Sequence, residues 1–255
     1  MKSIGFVGAG RITRIMIEGW ARAGRLPERI VVADPNDAAV SAVAAAFPSV
    51  AVGAASAAAA QDVVIMSLHP PAMGEALPKL APYLKADAIA LSLAPKLRFA
   101  KLSELLGGFT RLARQNPNAP SIVNRGYNPI AFAPDLDAAA RGALLDLLKP
   151  LGATPEVDER TIEAYAVISA MGPTYLWFQM ALLRRLAAEF GLDDRAAREA
   201  VAAMAHGAAA TLLESDLAPE RVMDLVPVKP LAADEETIAE LYRSRLKPLY
   251  AKLAA

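Results

Sequence analysis

Residues 4–13 read IGFVGAGRIT, an apolar run that meets Gly8-Ala9-Gly10 and passes at once into a helix-forming segment. A strand that ends on a Gly-x-Gly turn and enters a helix can cradle a pyrophosphate. Gly8 permits the tight turn and Gly10 lets a phosphate approach the backbone, while the helix N-terminus supplies amide donors and the positive end of a dipole. Gly8, Ala9, Gly10, Arg11 and Ile12 are the residues this places around the phosphates. The third position of the fingerprint is Thr13 rather than Gly or Ala, and that position sets how closely helix and strand pack.

The next β-rich run, RIVVAD, closes on Asp34, where a carboxylate would bind the adenosine ribose hydroxyls. The alternative is a plain βα turn in which Asp34 caps the helix starting near Asp37. Asp34 would repel a ribose 2′-phosphate and Arg11 would attract one, so the expected cofactor is NADPH or NADH, with NADH favoured.

Outward from this turn, short β-rich runs alternate with helical ones: SVAV, DVVIMSL, AIALSL and TRLARQ, with helices expected at about Ile12 to Ala23, Ala38 to Phe47, after HPPAM and near Ala100 to Leu106. Buried runs such as Val63 to Leu68, followed by amphipathic segments, predict a parallel sheet covered on both faces. After TPEVDER the strand signals stop, and helical periodicity runs from Thr161 to the end. The expected fold is α/β: an N-terminal Rossmann-type doubly wound parallel sheet over residues 1–157, then an all-helical domain over 158–255 with small alanine faces. A helical segment of that length is marginal alone and would finish burying itself as a dimerisation domain against a second copy.

In an open parallel sheet, ligands lie outside the carboxyl ends of the strands. Ser67, Leu68, His69 and Pro70 after one strand, and Ala94 to Lys96 after the next, are therefore expected around ribose and nicotinamide. His69 is either a loop-end imidazole bonded to backbone or cofactor, or an acid-base group if geometry allows. His206, in an Ala-rich helix, reads as packing, as does Trp177.

The 27 basic and 27 acidic residues balance, which removes the electrostatic case for nucleic acid or an anionic membrane surface. Without cysteine the chain has no disulfide, thiolate metal site or cysteine nucleophile, and no metal-ligand cluster stands out. Ala38 to Gln61 lacks charge, but Pro48 and Gly53 interrupt it, so helix, short strand and second helix is the expectation rather than a membrane span. Arg11 stops the N-terminal apolar run before a secretory signal could form, so the expected location is cytoplasmic.

Further along stands RQNPNAPSIVNRGYNPIAF, then AMGPTYLWF and GAAATLLES. With GFVGAGRIT and VADPN, in this order over nearly the whole chain, they resemble the pyrroline-5-carboxylate reductase family. That family's Arg followed by M-P-N-T-P corresponds to Arg114, Pro117, Asn118 and Pro120, which implies cofactor contacts from Asn116 and Asn118. Its T-A-L-S-G-S-G-P-A-Y signature falls on Ala166 to Tyr175 and keeps Ser169, Gly172, Pro173 and Tyr175 as implied catalytic-site residues, with the Gly-Pro break as the start of a long helix beside the nicotinamide.

The chain departs from that pattern at Ala166 and Met171, where the family has Thr and Ser, and in the loop PVKPLAADEET, where the family has a hydroxyl-rich carboxylate cradle. Pro227 and Pro230 remove backbone donors there, and Lys229 is either a replacement anchor or an exposed loop residue. The resemblance implies an NAD(P)H-dependent reductase of a small cyclic imine, working as a homodimer. Alternatives are a reductase of a different imine or carbonyl, or a regulatory protein that binds dinucleotide without turnover. A β-hydroxyacid dehydrogenase fits less well, because the interdomain helix that should carry its Lys has none between Lys149 and Lys229. The deazaflavin-dependent NADP reductases share the N-terminal plan but lack a comparable second domain.

Overall fold

The computed structural model describes residues 3–254. Its strands are β1 (Ser3–Val7), β2 (Arg29–Ala33), β3 (Ala51–Val52), β4 (Val63–Met66), β5 (Ile89–Ser92), β6 (Leu112–Gln115), β7 (Gly126–Tyr127), β8 (Ile130–Phe132) and β9 (Gly152–Ala153). The helices between and after them are α1 (Arg11–Arg22), α2 (Asp37–Ala46), α3 (Ala55–Ala59), α4 (Pro70–Leu80), α5 (Phe99–Leu105), α6 (Ala138–Leu148) and α7 (Ile162–Tyr165), then α8 (Pro173–Glu189), α9 (Asp194–Glu214), α10 (Pro219–Met223) and α11 (Glu235–Ala254).

Seven strands form one sheet in the order β3-β2-β1-β4-β5-β6-β8. The first six run parallel, with β1, β2, β4 and β5 as the largely buried apolar runs expected of such a sheet. The seventh is a strand the sequence reading does not list: β8 lies antiparallel to β6, pairing Ala113 with Phe132 and Gln115 with Ile130. The chain between them holds a 3₁₀ turn at Ala119–Val123 and the short β7 rather than a crossover helix, and a short return of that kind reverses the strand direction.

Two apolar layers confirm that both faces are covered. One gathers Phe6, Met16, Ile17, Trp20 and Leu144; the other gathers Val7, Val31, Met66, Met73 and Leu77. The alternating side chains of β1 feed both, since Phe6 and Val7 point to opposite faces. Trp20 Nε1 donates to Leu147 O at 2.8 Å, tying α1 to the end of α6.

The uncharged window folds as α2, β3 and α3, as its Pro and Gly positions predict. A second stretch, Glu159–Glu189, is long and apolar enough to cross a membrane by length and composition. It is not one uniform helix: α7 gives way to a π-helical turn at Ala166–Ala170, and Gly172-Pro173 then starts α8 with Pro in its first turn.

The chain divides into two compact units, one running to Met171 and including the last residues from Leu249, the other Gly172–Pro248. Within the second unit, α8, α10 and α11 contribute no buried residue and α9 only Ala197. Trp177, read from sequence as core, is 50% exposed, and Leu176, Phe178 and Leu213 are exposed beside it in the same unit. His206 is exposed too, rather than packed. The helical pattern identifies an apolar face; it does not say whether this chain's own residues cover it.

Candidate active site

Gly8 follows β1 with φ +114°, and a Cβ there would stand 2.7 Å from Ser67 O. The turn thus depends on a residue without a side chain. Gly10 is different. Its backbone is extended (φ −69°, ψ −172°) and a Cβ would meet no protein atom within 4 Å, so nothing in the protein demands glycine there. The space is what a phosphate pressed against the backbone would use. No side chain caps α1, whose first turn also lacks acidic residues, which leaves its N-terminal amides and dipole end for an anion.

Thr13 fills the third fingerprint position in a way the sequence does not reveal. It is fully buried, and its Oγ1 lies 2.7 Å from Gly8 O and 2.9 Å from Ser67 Oγ. Ser67 Oγ in turn sits 2.8 Å from Gly8 O. The two hydroxyls converge on the carbonyl of the turn and hold it, in place of the close packing that a third glycine provides. Ser67 therefore braces the turn from the end of β4.

Asp34 is half-buried. Its Oδ2 accepts the Ala9 N–H at 2.7 Å and its Oδ1 accepts the Asn36 N–H at 2.8 Å, so the Ala9 amide is spent on Asp34. Helix α2 is capped instead by Asn36, whose Oδ1 accepts from Ala38 and Ala39. Each Asp34 oxygen retains a lone pair for a ribose hydroxyl. The carboxylate borders a cavity of about 560 Å³ together with Pro35, Gly53, Leu68, Glu75 and Lys79. It opens at the carboxyl ends of β1 and β2, beside the point where strand order reverses between β1 and β4.

On the other side of that point, His69 begins α4 through its backbone and its imidazole is exposed. Pro70 is the first residue of α4. Ala94 is buried, and its N–H donates to Ser92 Oγ at 3.3 Å. Arg11 is exposed and Ile12 partly buried in the first turn of α1.

Asn116 and Asn118 are buried, with their amides engaged by protein. Asn116 Nδ2 donates to Ile162 O, and Asn118 Nδ2 donates to Ser169 O at 3.3 Å while its Oδ1 accepts from Tyr127 N at 3.1 Å. Asn128, which the sequence reading passed over, accepts the Asn118 N–H at 2.9 Å. Ser169 lies in the π-helical turn, its hydroxyl donating to Tyr165 O at 3.0 Å.

In the second unit, Tyr175 lies two residues into α8 from Pro173. It meets Tyr242 of α11 edge-on with ring centroids 5.8 Å apart, at a cavity of about 510 Å³ that Thr174, Phe178 and Arg245 also line. Partial burial, and then the neighbouring Tyr242, push the Tyr175 phenol above the ordinary tyrosine range, so at neutral pH it is a hydroxyl donor and not a phenolate. Lys229 is exposed on the loop between α10 and α11 and does not line that cavity. Among the described residues there is no cluster of His, Cys, Asp or Glu suited to a metal ion.

A family model described as NADP oxidoreductase coenzyme F420-dependent matches residues 3–96, and one described as pyrroline-5-carboxylate reductase dimerisation matches residues 159–254. The chain is a divergent member of the pyrroline-5-carboxylate reductase family. Its relatives include the pyrroline-5-carboxylate reductase of Pseudomonas aeruginosa, 29% identical over 218 residues that cover 85% of this chain and 80% of the relative. Pyrroline-5-carboxylate reductase 2 of Bacillus subtilis is 26% identical, covering 97% and 89%. The crystal structure of Plasmodium falciparum pyrroline carboxylate reductase with NADP bound shares the fold at a TM-score of 0.76, with 19% identity and coverage of 99% and 94%. The dimerisation match begins at 159, whereas the compact units part later, at the Gly172-Pro173 break. The apolar Glu159–Glu189 stretch falls wholly within that match.

Proposed function

We propose that the protein is an NAD(P)H-dependent reductase that reduces the C=N bond of a small cyclic imine, acting in the cytoplasm as a homodimer through its helical region. The observation that carries the reading is the uncapped N-terminus of α1 behind Gly10, where a side chain would meet nothing of the protein. A reduced nicotinamide bound with its pyrophosphate there would supply hydride to the imine carbon. The protein's part is to orient and to exclude water. Gly8, Gly10 and the first turn of α1 hold the pyrophosphate, Asp34 takes the ribose hydroxyls, and the turns after β4 and β5 flank the nicotinamide. Ser169, Gly172, Pro173 and Tyr175, the residues kept from the family signature, are assigned to the substrate, Tyr175 as a protonated hydroxyl.

Asp34 and Glu75 both border the adenosine cavity, against Lys79 alone, which disfavours a 2′-phosphate. NADH should bind at least about tenfold more tightly than NADPH, and Asp34→Ser should narrow the gap. Fluorescence titration of both cofactors reads this directly, and equal affinities in the wild type would refute the assignment.

The carboxylate of pyrroline-5-carboxylate is assigned to Lys229, since Pro227 and Pro230 leave the PVKPLAADEET loop short of backbone donors. Steady-state oxidation of NADH with pyrroline-5-carboxylate, and with the same ring lacking its carboxylate, is the test. Lys229→Ala should raise KM for the acid about tenfold and leave the bare ring unaffected. Tyr175→Phe should lower kcat, and any limb of the pH–rate profile that depends on Tyr175 should lie on the alkaline side of the ordinary tyrosine range. Cofactor binding with no oxidation of either ring would reject imine reduction as proposed.

A further inference from the structure

Arg114 ends the run of β6 that pairs with β5, opposite Ser92. Its side chain is 1% exposed, and two carboxylates converge on it: Nη2 donates to Glu163 Oε1 at 2.6 Å and Nη1 to Glu159 Oε1 at 3.1 Å. The same two oxygens accept backbone N–H groups from the segment after β5. Glu163 Oε1 takes the Lys96 N–H at 3.2 Å and Glu159 Oε1 takes the Phe99 N–H at 2.6 Å.

Lys96 stands at φ +74°, a left-handed conformation that a residue with a Cβ adopts only when its surroundings impose it. A buried ion cluster is weak as a stabiliser, because desolvation offsets most of its attraction. This one is attached to something specific, a strained loop at the carboxyl edge of the sheet. In the strand order, the adenosine cavity lies toward β2 and the phosphate turn at β1, so β4 and β5 flank the opposite half of a bound dinucleotide.

We infer that the Arg114–Glu159–Glu163 cluster holds the Leu93–Arg98 loop in the shape that receives the nicotinamide half of the cofactor, with Glu163 as a positioning residue. The inference rests on the dinucleotide reading above. Glu163→Gln keeps the size of the side chain and an acceptor oxygen but removes the charge that grips Arg114. Glu159→Gln likewise keeps size and an acceptor oxygen, at a less buried position, and weakens the other ion pair on Arg114 without altering the loop backbone.

Calorimetric titration of wild type and both variants with NADH and with ADP-ribose separates the possibilities. In both variants NADH affinity should fall about tenfold while ADP-ribose affinity stays at the wild-type value. Equal weakening of both ligands would assign the cluster a general structural role and overturn the inference, and so would unchanged NADH affinity. If Glu163→Gln does not fold, Glu159→Gln decides by the same criterion. A wild type that binds neither ligand defeats the dinucleotide reading itself, and the inference with it.

Discussion

Gly10→Val is expected to stay folded while losing dinucleotide affinity by about a hundredfold or more, equivalent to at least ~2.7 kcal/mol of binding. The separation of the two effects follows from the backbone. At φ −69° and ψ −172° any residue is accommodated, and the space into which a side chain would project holds no protein atom within 4 Å. Loss of glycine at this capping position should cost no more than about 1 kcal/mol of stability. A bound pyrophosphate would have to occupy the same space as the new methyl groups. Gly8→Val is the contrasting variant, since φ +114° and the contact with Ser67 O make it a folding defect. Thermal melting beside NADH titration distinguishes them. A Gly10→Val protein that binds NADH normally would remove the phosphate from the α1 turn.

Arg114→Met should be the most destabilising polar-site substitution in the first unit, at about 3–5 kcal/mol, because it strands Glu163 in the interior with Glu159 beside it. Glu163→Gln alone should cost less, since Arg114 keeps Glu159 as a partner. The double variant Arg114→Met, Glu163→Gln should recover part of the loss, because the uncompensated buried charge is then gone. Urea denaturation with an unchanged m value is the appropriate reading. If the double variant is as unstable as Arg114→Met plus Glu163→Gln added together, the two side chains do not act as a pair.

Much of the fold is legible locally. The strand, Gly-x-Gly turn and helix at residues 4–13 are written in short-range sterics, as is the interruption of the uncharged window by Pro48 and Gly53. The antiparallel β8 is not, because its direction depends on how a short connection returns to β6. The roles of the polar residues are less legible still. Asn116 and Asn118 are assigned to the cofactor through the family resemblance, and only the structure shows that their amides bind Ile162 O, Ser169 O and Tyr127 N. The sequence reading assigns nothing to Glu159 or Glu163, and the structure places Glu163 in the interior against Arg114.

By itself the sequence determined the doubly wound sheet, the Gly-x-Gly turn and the helical C-terminal region, since hydrophobic period, glycine placement and helix starts act over a few residues. Only the tertiary structure decided that Thr13 and Ser67 together hold the Gly8 carbonyl, that Asp34 braces Ala9, and that a carboxylate on α7 fixes a loop after β5. Those outcomes depend on which distant group fills each buried hydrogen-bonding valence, and the chain specifies that only when it is folded.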